Sequence, residues 1–256
     1  MIKTLRTVYW EAVVEKMLAL VLFFSTWELL PRLGWIDVRF LPPVSEVIKG
    51  MAELTISGEM SVHLGISLQR SLIGFFIAAG LALPLGIAMG WFTWLEKAAD
   101  PLLQVCRNTS VLALYPVFIL LFGLSEFAKI AIIFWGTLWP VLLNTIEGVK
   151  GVDPLLVKSA RSMGSPRLTL LLKVVLPSAL PSILTGFRLS ASRAVVVLVA
   201  AEMLGAQKGL GYLIFQAQLD REIPVMYAGI LSITFLGVLI NYGLAKFEKR
   251  VVRWRE

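Results

Sequence analysis

The feature that most constrains this chain is a set of long stretches without a charged residue. Residues 71–95 contain no Asp, Glu, Lys or Arg, and three later stretches share this property. A helix that crosses a membrane needs roughly 20 consecutive, mostly apolar residues, so each stretch predicts one crossing. Two further apolar runs hold a few charges and complete a set of six. In chain order the predicted spans are 12–31, 71–95, 108–125, 130–146, 178–204 and 223–245.

Composition excludes most other classes of protein. Hydrophobic residues make up 57% of the chain and charged residues 16%, whereas soluble domains carry about 25% charged residues. A soluble enzyme could not cover such an apolar surface, and a disordered chain would be far more polar. The apolar runs are continuous, which favours helices over the short alternating segments of a membrane β-barrel. The predicted fold class is therefore an all-α polytopic membrane protein.

The reactive side chains are few. The chain has one cysteine, Cys106, and one histidine, His63, so we expect no internal disulfide, no metal site and no catalytic residues. No residue pair suggests a nucleophile with its base. The net charge of +7 raises the alternative of nucleic-acid binding. The cations flank the predicted spans, however, so they are better explained by membrane topology, and no nucleic-acid partner is expected.

Positive charges also predict the orientation. The N-terminal segment, the segment 148–173 and the tail after 245 are rich in Lys and Arg, and short loops of this kind stay in the cytoplasm. Six spans that begin inside place all three on that side, so both termini are expected to be cytoplasmic. The segment 32–63 then lies outside. Within it, Ser45 is expected to N-cap a helix that ends near Ile56.

The segment between the fourth and fifth spans has the most distinctive pattern. Asp153 can N-cap a helix with Pro154 at its first position, and Gly164 suits the end of that helix. A helix this short needs a partner surface to be stable. Periodicity leaves two partners open, namely the chain's own helix ends and another protein. The residues predicted to share one face of this helix are Val152, Leu156, Ala160 and Met163.

This segment resembles the signature of permease subunits of ABC importers. That signature reads Glu-Ala-Ala, three residues, Gly, nine residues, Ile, one residue and Leu-Pro. Gly164 stands at the glycine position, Val174 at the isoleucine position, and Leu176 and Pro177 match the final pair without gaps. The resemblance implies that the segment couples the permease to a cytoplasmic ATPase.

The sequence departs from the signature at its start. Lys158, Ser159 and Ala160 stand where Glu-Ala-Ala is expected, so one of three residues matches and Lys158 reverses a charge. The reversal affects any ion pair that the acid would make with the ATPase, but not the geometry of helix, glycine and helix. By the resemblance, the residues expected to carry ATPase coupling are Asp153, Pro154, Leu155, Leu156, Lys158, Ser159, Ala160, Arg161, Met163, Gly164, Leu176 and Pro177.

The resemblance extends over almost the whole chain. The pieces LPPVSEV, SLQRSLIGF, RNTSVLALYPVFILLFG, LPSALPSILTGFR and AEMLGAQKGLGYLI resemble the branch that imports nitrate, taurine and aliphatic sulfonates. This implies a type I ABC importer permease (MetI-like) fold in a bacterial inner membrane. The expected organisation is a single permease domain over 1–256. Its parts are the span 12–31, the outer segment 32–63, a core over 64–246 that includes the coupling loop 148–176, and the basic tail 246–256.

The resemblance also implies partners. Two permease subunits would form the pathway, and a homodimer is expected because six spans can hardly enclose a polar pathway alone. Two cytoplasmic ATPases would bind ATP and Mg²⁺, and an extracytoplasmic binding protein would deliver a small anion such as a sulfonate, taurine or nitrate. The chain itself has no G-x-x-x-x-G-K-[ST] motif and is expected to bind no cofactor. The alternatives are a secondary transporter driven by an ion gradient and, more remotely, an intramembrane enzyme.

Polar residues inside the spans are the candidates for lining the pathway, because charges at membrane depth usually face away from lipid. Each has a plainer interpretation. Arg107 and Asn108, at the expected cytoplasmic start of the third span, can contact phosphate headgroups, and the other two arginines can extend to the headgroups. Asn144 can bond a neighbouring helix, and the glutamate can pair with Lys208 or Arg221. The candidates are Arg107, Asn108, Asn144, Arg188, Arg193 and Glu202.

Overall fold

The protein folds into helices only, over the residues that the structure describes. The computed structural model describes the backbone of residues 2–252 and the side chains of residue 15 and of 17–252. The helices are α1 Ile2–Arg32, α2 Val44–Ile56, α3 Glu59–Trp91, α4 Thr93–Asn108, α5 Val111–Phe122, α6 Glu126–Lys150, α7 Pro154–Ser162, α8 Arg167–Leu170, α9 Leu176–Gly205, α10 Leu210–Leu219 and α11 Ile223–Val251; a π-helical turn over Leu171–Val175 joins α8 to α9. The predicted all-α class is confirmed.

Four helical runs in the described part of the chain are long and apolar enough to cross a membrane. They are α3, α6, the run Arg167–Gly205 and α11, and a fifth crossing results if α4 and α5 count together. These contain the predicted spans near 71–95, 130–146, 178–204 and 223–245. The predicted span 12–31 falls in α1 but includes residues whose side chains lie outside the described set, so the sixth crossing stays a prediction.

The third predicted span differs from the structure. A single crossing was expected over 108–125, but α4 and α5 meet there at 93°. The break has a local cause. The side chains of Asn108 and Thr109 donate hydrogen bonds to the carbonyls four residues earlier, and Thr109 and Ser110 are extended. Such side chains compete with the helical hydrogen bonds of the backbone.

Helix α3 packs closely against α6 along a stripe of small residues. A Cβ added to Gly86 would lie 2.7 Å from the Cβ of Thr145 and 3.0 Å from the carbonyl oxygen of Leu142. Small residues let membrane helices approach to this distance, where van der Waals packing stabilises the pair. The stripe recurs at every fourth position and consists of Gly74, Ala78, Ala82, Gly86 and Gly90.

Helix α9 approaches the other side of α6 in the same way. A Cβ on Gly186 would lie 3.0 Å from the carbonyl oxygen of Pro140. One turn further along α9, the Ser190 hydroxyl donates to the carbonyl oxygen of Thr137 at 2.6 Å. Helices α6 and α9 are therefore in close contact near the middle of both helices, and polar side chains of both lie there.

The structure groups the chain into two compact units. The first holds the residues up to 61 together with 213–231, and the second holds 62–212 with the remainder. In the first unit, the expected helix of the 32–63 segment is confirmed as α2. The expected N-cap is wrong, because Ser45 lies inside the first turn. The Glu28 carboxylate on α1 caps α2 instead, accepting from the Ser45 backbone N–H at 3.0 Å and from its hydroxyl at 2.8 Å. A carboxylate at a helix N-terminus is stabilising.

The glycine stripe generates a prediction with an internal control. Gly86→Ala is expected to destabilise the protein by about 1–3 kcal/mol, because the added methyl group overpacks the contact with Thr145. Gly80 lies on the same helix with no atom within 4 Å of an added Cβ, so Gly80→Ala is expected to leave stability unchanged or slightly raised. Thermal unfolding in detergent, followed by tryptophan fluorescence, measures both. Equal melting temperatures for the two variants would contradict the packing that the structure shows.

Candidate functional site

The predicted coupling segment forms a short, sharply bounded helix. The Asp153 carboxylate accepts a hydrogen bond from the Leu155 backbone N–H at 2.8 Å, and Pro154 occupies the first helical position. Gly164 follows the last turn with a φ of +76°, a conformation that glycine adopts without strain. The helix α7 therefore begins and ends at the residues that the sequence predicted.

The side chains of α7 face outward. None of them is buried, and Leu155 and Met163 are 68% and 83% exposed. The predicted shared face is wrong in one respect. Val152 is buried in a cluster with Val149 and Val175, to which only Val157 of α7 adds a half-buried contact. Because Val152 precedes the helix, it does not continue the face of Met163.

The signature residues fall on two connected elements. Leu155, Leu156, Lys158, Ser159, Arg161 and Met163 are exposed on or beside α7, and Ala160 is half-buried. Leu176 and Pro177 open α9 directly after the π turn. Proline cannot donate to the carbonyl four residues earlier and its ring clashes there, and a π turn is a usual way to absorb such a defect. From α8 onward the chain continues without a loop into the long α9.

A polar cavity lies midway along α6 and α9. It has a volume of about 530 Å³ and is here called the central cavity. Four predicted pathway residues line it, namely Arg107, Asn108, Asn144 and Arg193. The remaining lining residues are Trp139, Pro140, Leu143, Leu189, Ser192 and Val196.

The other two predicted pathway residues lie elsewhere. Arg188 forms an ion pair with Glu248 of α11 at 3.3 Å and does not line the central cavity. Glu202 is fully buried near the end of α9. Arg107 and Asn108 close the end of α4 beside the middle of α6, and their expected position at the cytoplasmic start of a span stays a prediction.

Glu202 belongs to an ion cluster of Ser67, Arg70, Glu126, Lys129 and Glu202, here called the buried ion cluster because all of its members except Glu126 are buried; the Glu126 side chain is 59% exposed. The Arg70 guanidinium donates to Glu202 at 2.8 Å and to Glu126 at 2.7 Å. Ser67 donates to Glu202 at 2.8 Å. The Glu202 carboxylate therefore has direct partners for both oxygens, which is the condition for burying a charge at tolerable cost.

The loop after α9 and the first turn of α10 complete this cluster. The Gly211 backbone N–H donates to Glu202 at 2.9 Å, and the carbonyl oxygen of Lys208 accepts from Arg70 at 2.6 Å. Glu202 was expected to pair with Lys208 or Arg221 if it lined no pathway. The backbone of Lys208 is in fact in the cluster, but the cation that pairs with Glu202 is Arg70.

Sequence reasoning missed two parts of these sites. Arg70 directly precedes a charge-free stretch and resembled an ordinary membrane-flanking cation, since its partners are 56 and 132 positions away. The second part is Trp139, which lines the central cavity. Its ring packs edge to face on Trp135, but its indole N–H is buried without a hydrogen-bond partner. Neither the ion pairs of Arg70 nor the burial of the Trp139 indole N–H leaves a local signal in the sequence.

The comparisons with known proteins decide the family. The profile described as "Binding-protein-dependent transport system inner membrane component" matches residues 82–253. The chain belongs to this family. Its members are inner-membrane transport subunits, so the expected permease class is confirmed, and with it a multi-pass membrane location. The matched region includes α7, the central cavity and the long helix α9.

Individual relatives agree with this assignment. A putative aliphatic sulfonates transport permease protein SsuC of Bacillus subtilis is 37% identical, over 90% of this chain and 84% of the relative. The same-named protein of Escherichia coli is 38% identical, over 90% and 88%. The taurine transport system permease protein TauC of Escherichia coli is 33% identical, over 92% and 87%. All three are permease subunits, not ATPases.

A solved structure supports the fold. One chain of the MetNI methionine ABC transporter, in an inward-facing conformation, aligns with a TM-score of 0.65 at 18% identity. The alignment covers 73% of this chain and 93% of that one. The expected importer permease fold is therefore confirmed at the level of helix arrangement.

The buried ion cluster generates a stability prediction. Arg70→Met is expected to destabilise the protein by about 3–5 kcal/mol, because it leaves the Glu202 carboxylate buried without its cation. Lys150→Met is the control, since it removes a cation from an ion pair with Glu96 whose lysine is 48% exposed, and an exposed pair contributes about 0–1 kcal/mol. Melting temperatures in detergent compare the two. A shift for Arg70→Met no larger than that for Lys150→Met would refute a stabilising role.

Proposed function

We propose that the chain is the membrane subunit of an ATP-driven importer and that α7 docks into a cytoplasmic ATPase. In this proposal two copies of the chain form the pathway, and two ATPases hydrolyse ATP with Mg²⁺. An extracytoplasmic binding protein delivers the substrate, and both termini of the chain are cytoplasmic. The substrate is a small anion, with aliphatic sulfonates and taurine the first candidates, because relatives at 33–38% identity carry those names.

The observation that carries the proposal is the exposure of α7. A nine-residue helix is too short to be stable alone in water, yet α7 has a side-chain N-cap, a proline start and a glycine end. Its apolar residues Leu155 and Met163 face outward. A helix that is defined so sharply while leaving its apolar side chains uncovered fits a projection that enters a groove of another protein.

Charge adds a constraint on the partner. Lys158 and Arg161 are exposed on α7 and form no ion pair within the part of the chain that the structure describes, and the nearby Asp153 carboxylate accepts the N-cap hydrogen bond. A groove that receives this helix must therefore avoid placing a cation opposite Lys158. The partner ATPase is expected to be specific for this permease rather than shared with permeases that carry Glu at the same position.

The link to transport follows from chain continuity. Helix α7 is connected through the turn at Gly164 to α8, and α8 continues through the π turn into α9. A displacement of α7 by a closing ATPase pair would act on the start of α9. Residues near the middle of the same helix line the central cavity. This is the rigid-body form of alternating access around a fixed site.

Docking can be tested with charge-introducing variants. Leu155→Glu and Met163→Glu are expected to reduce co-purification of the cognate ATPase, and ATP-driven uptake, by at least about tenfold, which corresponds to 1.4 kcal/mol. Both side chains are exposed, so folding should be retained. Ile56→Glu is the control, because Ile56 is an 86% exposed apolar residue outside α7. Uptake into proteoliposomes measures the effect, with the ATPase and the binding protein of the same system present.

Two outcomes would contradict this proposal. Full uptake by Met163→Glu would remove the docking role of α7. Uptake by the chain reconstituted without any ATPase, driven by an ion gradient, would establish the secondary transporter instead.

Orientation provides an independent test. Cys106→Ser removes the only cysteine, and Met163→Cys or Ile56→Cys then adds one exposed thiol. In intact cells, a membrane-impermeant maleimide is expected to label the cysteine at 56 but not the one at 163, which should react only after permeabilisation. Labelling of position 163 from outside would place α7 on the wrong side of the membrane for any cytoplasmic ATPase.

A further inference from the structure

The central cavity has a charge pattern of one sign. Two guanidinium groups, those of Arg107 and Arg193, line it, and no carboxylate does. Neither arginine forms an ion pair or a hydrogen bond within the described residues, and both are exposed. Arg193 lies in the interior of α9 and Arg107 in the last turn of α4, and a cation at membrane depth costs about 2.5–3.5 kcal/mol unless it faces water or a ligand. The two arginines therefore require an anion or an aqueous space beside them.

A second, independent observation points to a ligand. Trp139 lines the same cavity, is 7% exposed, and its indole N–H has no hydrogen-bond partner. Buried donors without partners are rare in native structures, and each calls for an explanation. An oxyanion bound in the cavity would offer an acceptor to this indole N–H, because Trp139 lines the cavity.

The asparagines do not compete as donors. The Asn144 amide nitrogen already donates to the carbonyl oxygen of Pro140 at 2.8 Å, and that of Asn108 donates to Gln104 at 2.7 Å. Their side-chain oxygens remain as acceptors, which suits the amino group of a zwitterion or the orientation of a guanidinium. The donors for an oxyanion are thus the two arginines and the tryptophan.

The rest of the lining is apolar. Leu143, Leu189 and Val196 form one wall beside the arginines, and a volume of about 530 Å³ lies in the range of small-molecule sites. An inorganic anion would leave this wall unused, whereas an oxyanion with a short hydrocarbon tail would contact both parts.

We propose that the central cavity is a binding site for a short-chain organic oxyanion of the sulfonate class, held by Arg107 and Arg193 and completed by the Trp139 indole. The inference rests on the proposed transport function and deepens it, because it assigns substrate contacts within the membrane subunit. Arg188 is outside the site, since Glu248 neutralises it.

Binding is measured with ethanesulfonate and the purified permease in nanodiscs, by isothermal titration and by tryptophan fluorescence. The wild type is expected to bind, and Arg107→Gln and Arg193→Gln are each expected to weaken binding at least about tenfold, because each removes a charged hydrogen-bond donor. Arg193→Lys should retain more affinity than Arg193→Gln. Lys97→Gln is the control for loss of one positive charge, because Lys97 is exposed on α4 and does not line the cavity.

Several results would overturn the assignment. These are no ethanesulfonate binding by the wild type, equal affinity of the arginine variants, or an equal loss in Lys97→Gln. If the permease binds glycerol phosphate but not ethanesulfonate, the cavity is a site for a lipid headgroup instead.

Uptake by the complete transporter separates this inference from the proposed function. Both the cavity assignment and the proposed function are supported if the wild type shows ATP-driven ethanesulfonate uptake, the two arginine variants show less, and Met163→Glu shows none. If wild-type uptake needs the ATPase but the arginine variants transport normally, the cavity assignment fails and the proposed function stands. If the wild type shows no ATP-dependent uptake, the proposed function itself fails.

Discussion

The contact between Arg70 and Glu202 is the interaction on which the membrane-embedded arrangement depends. It joins the first half of α3 to the end of α9, and Glu126 brings the start of α6 to the same guanidinium. A loop carbonyl and two backbone N–H groups complete the bonding. Because a buried charge is costly unless every partner is in place, this end of the helix bundle has one favourable arrangement. Further along α3 and α6, small residues make a close approach possible without adding directional bonds.

The opposite end of the same helices is held mainly by apolar packing, in a buried cluster that includes Val149, Val175 and Ala179. Helix α7 contributes a half-buried Val157 to the local apolar cluster and leaves its other large apolar side chains exposed. Next to it, the backbone passes through a π turn just before Pro177. Where a proline interrupts the hydrogen-bond ladder, a helix bends most readily. One end of α9 is therefore fixed by directional ionic bonds and the other by apolar contacts, and under the proposed function the π turn before Pro177 is where a displacement of α7 would bend the chain.

The sequence predicted those features that arise from local rules. Charge-free runs identified the apolar helices, and Asp153, Pro154 and Gly164 bounded α7 through capping and backbone preference. Features that depend on pairs distant in the chain were not predictable. The partner of Glu202 lies 132 positions away, and the capping of α2 by Glu28 competes with an equally reasonable local cap by Ser45. The bend at Thr109 was missed because a hydropathy pattern does not show which polar side chains form hydrogen bonds with their own backbone. That Arg107 and Arg193 line the same cavity could be seen only in the tertiary structure.

The position of the central cavity follows from these two ends. Helix α9 has 30 residues and a length of about 45 Å, with the π turn before its first residue and Glu202 near its last. Arg193 lies between them. If α9 pivots about the end that Arg70 holds, displacement grows with distance from that end, so the cavity moves by an intermediate amount while the α7 end moves most. Under the proposed function, a site placed there would be altered by each stroke without being dismantled. Bound anion would in turn bias the position of α9, because linkage between two sites is reciprocal.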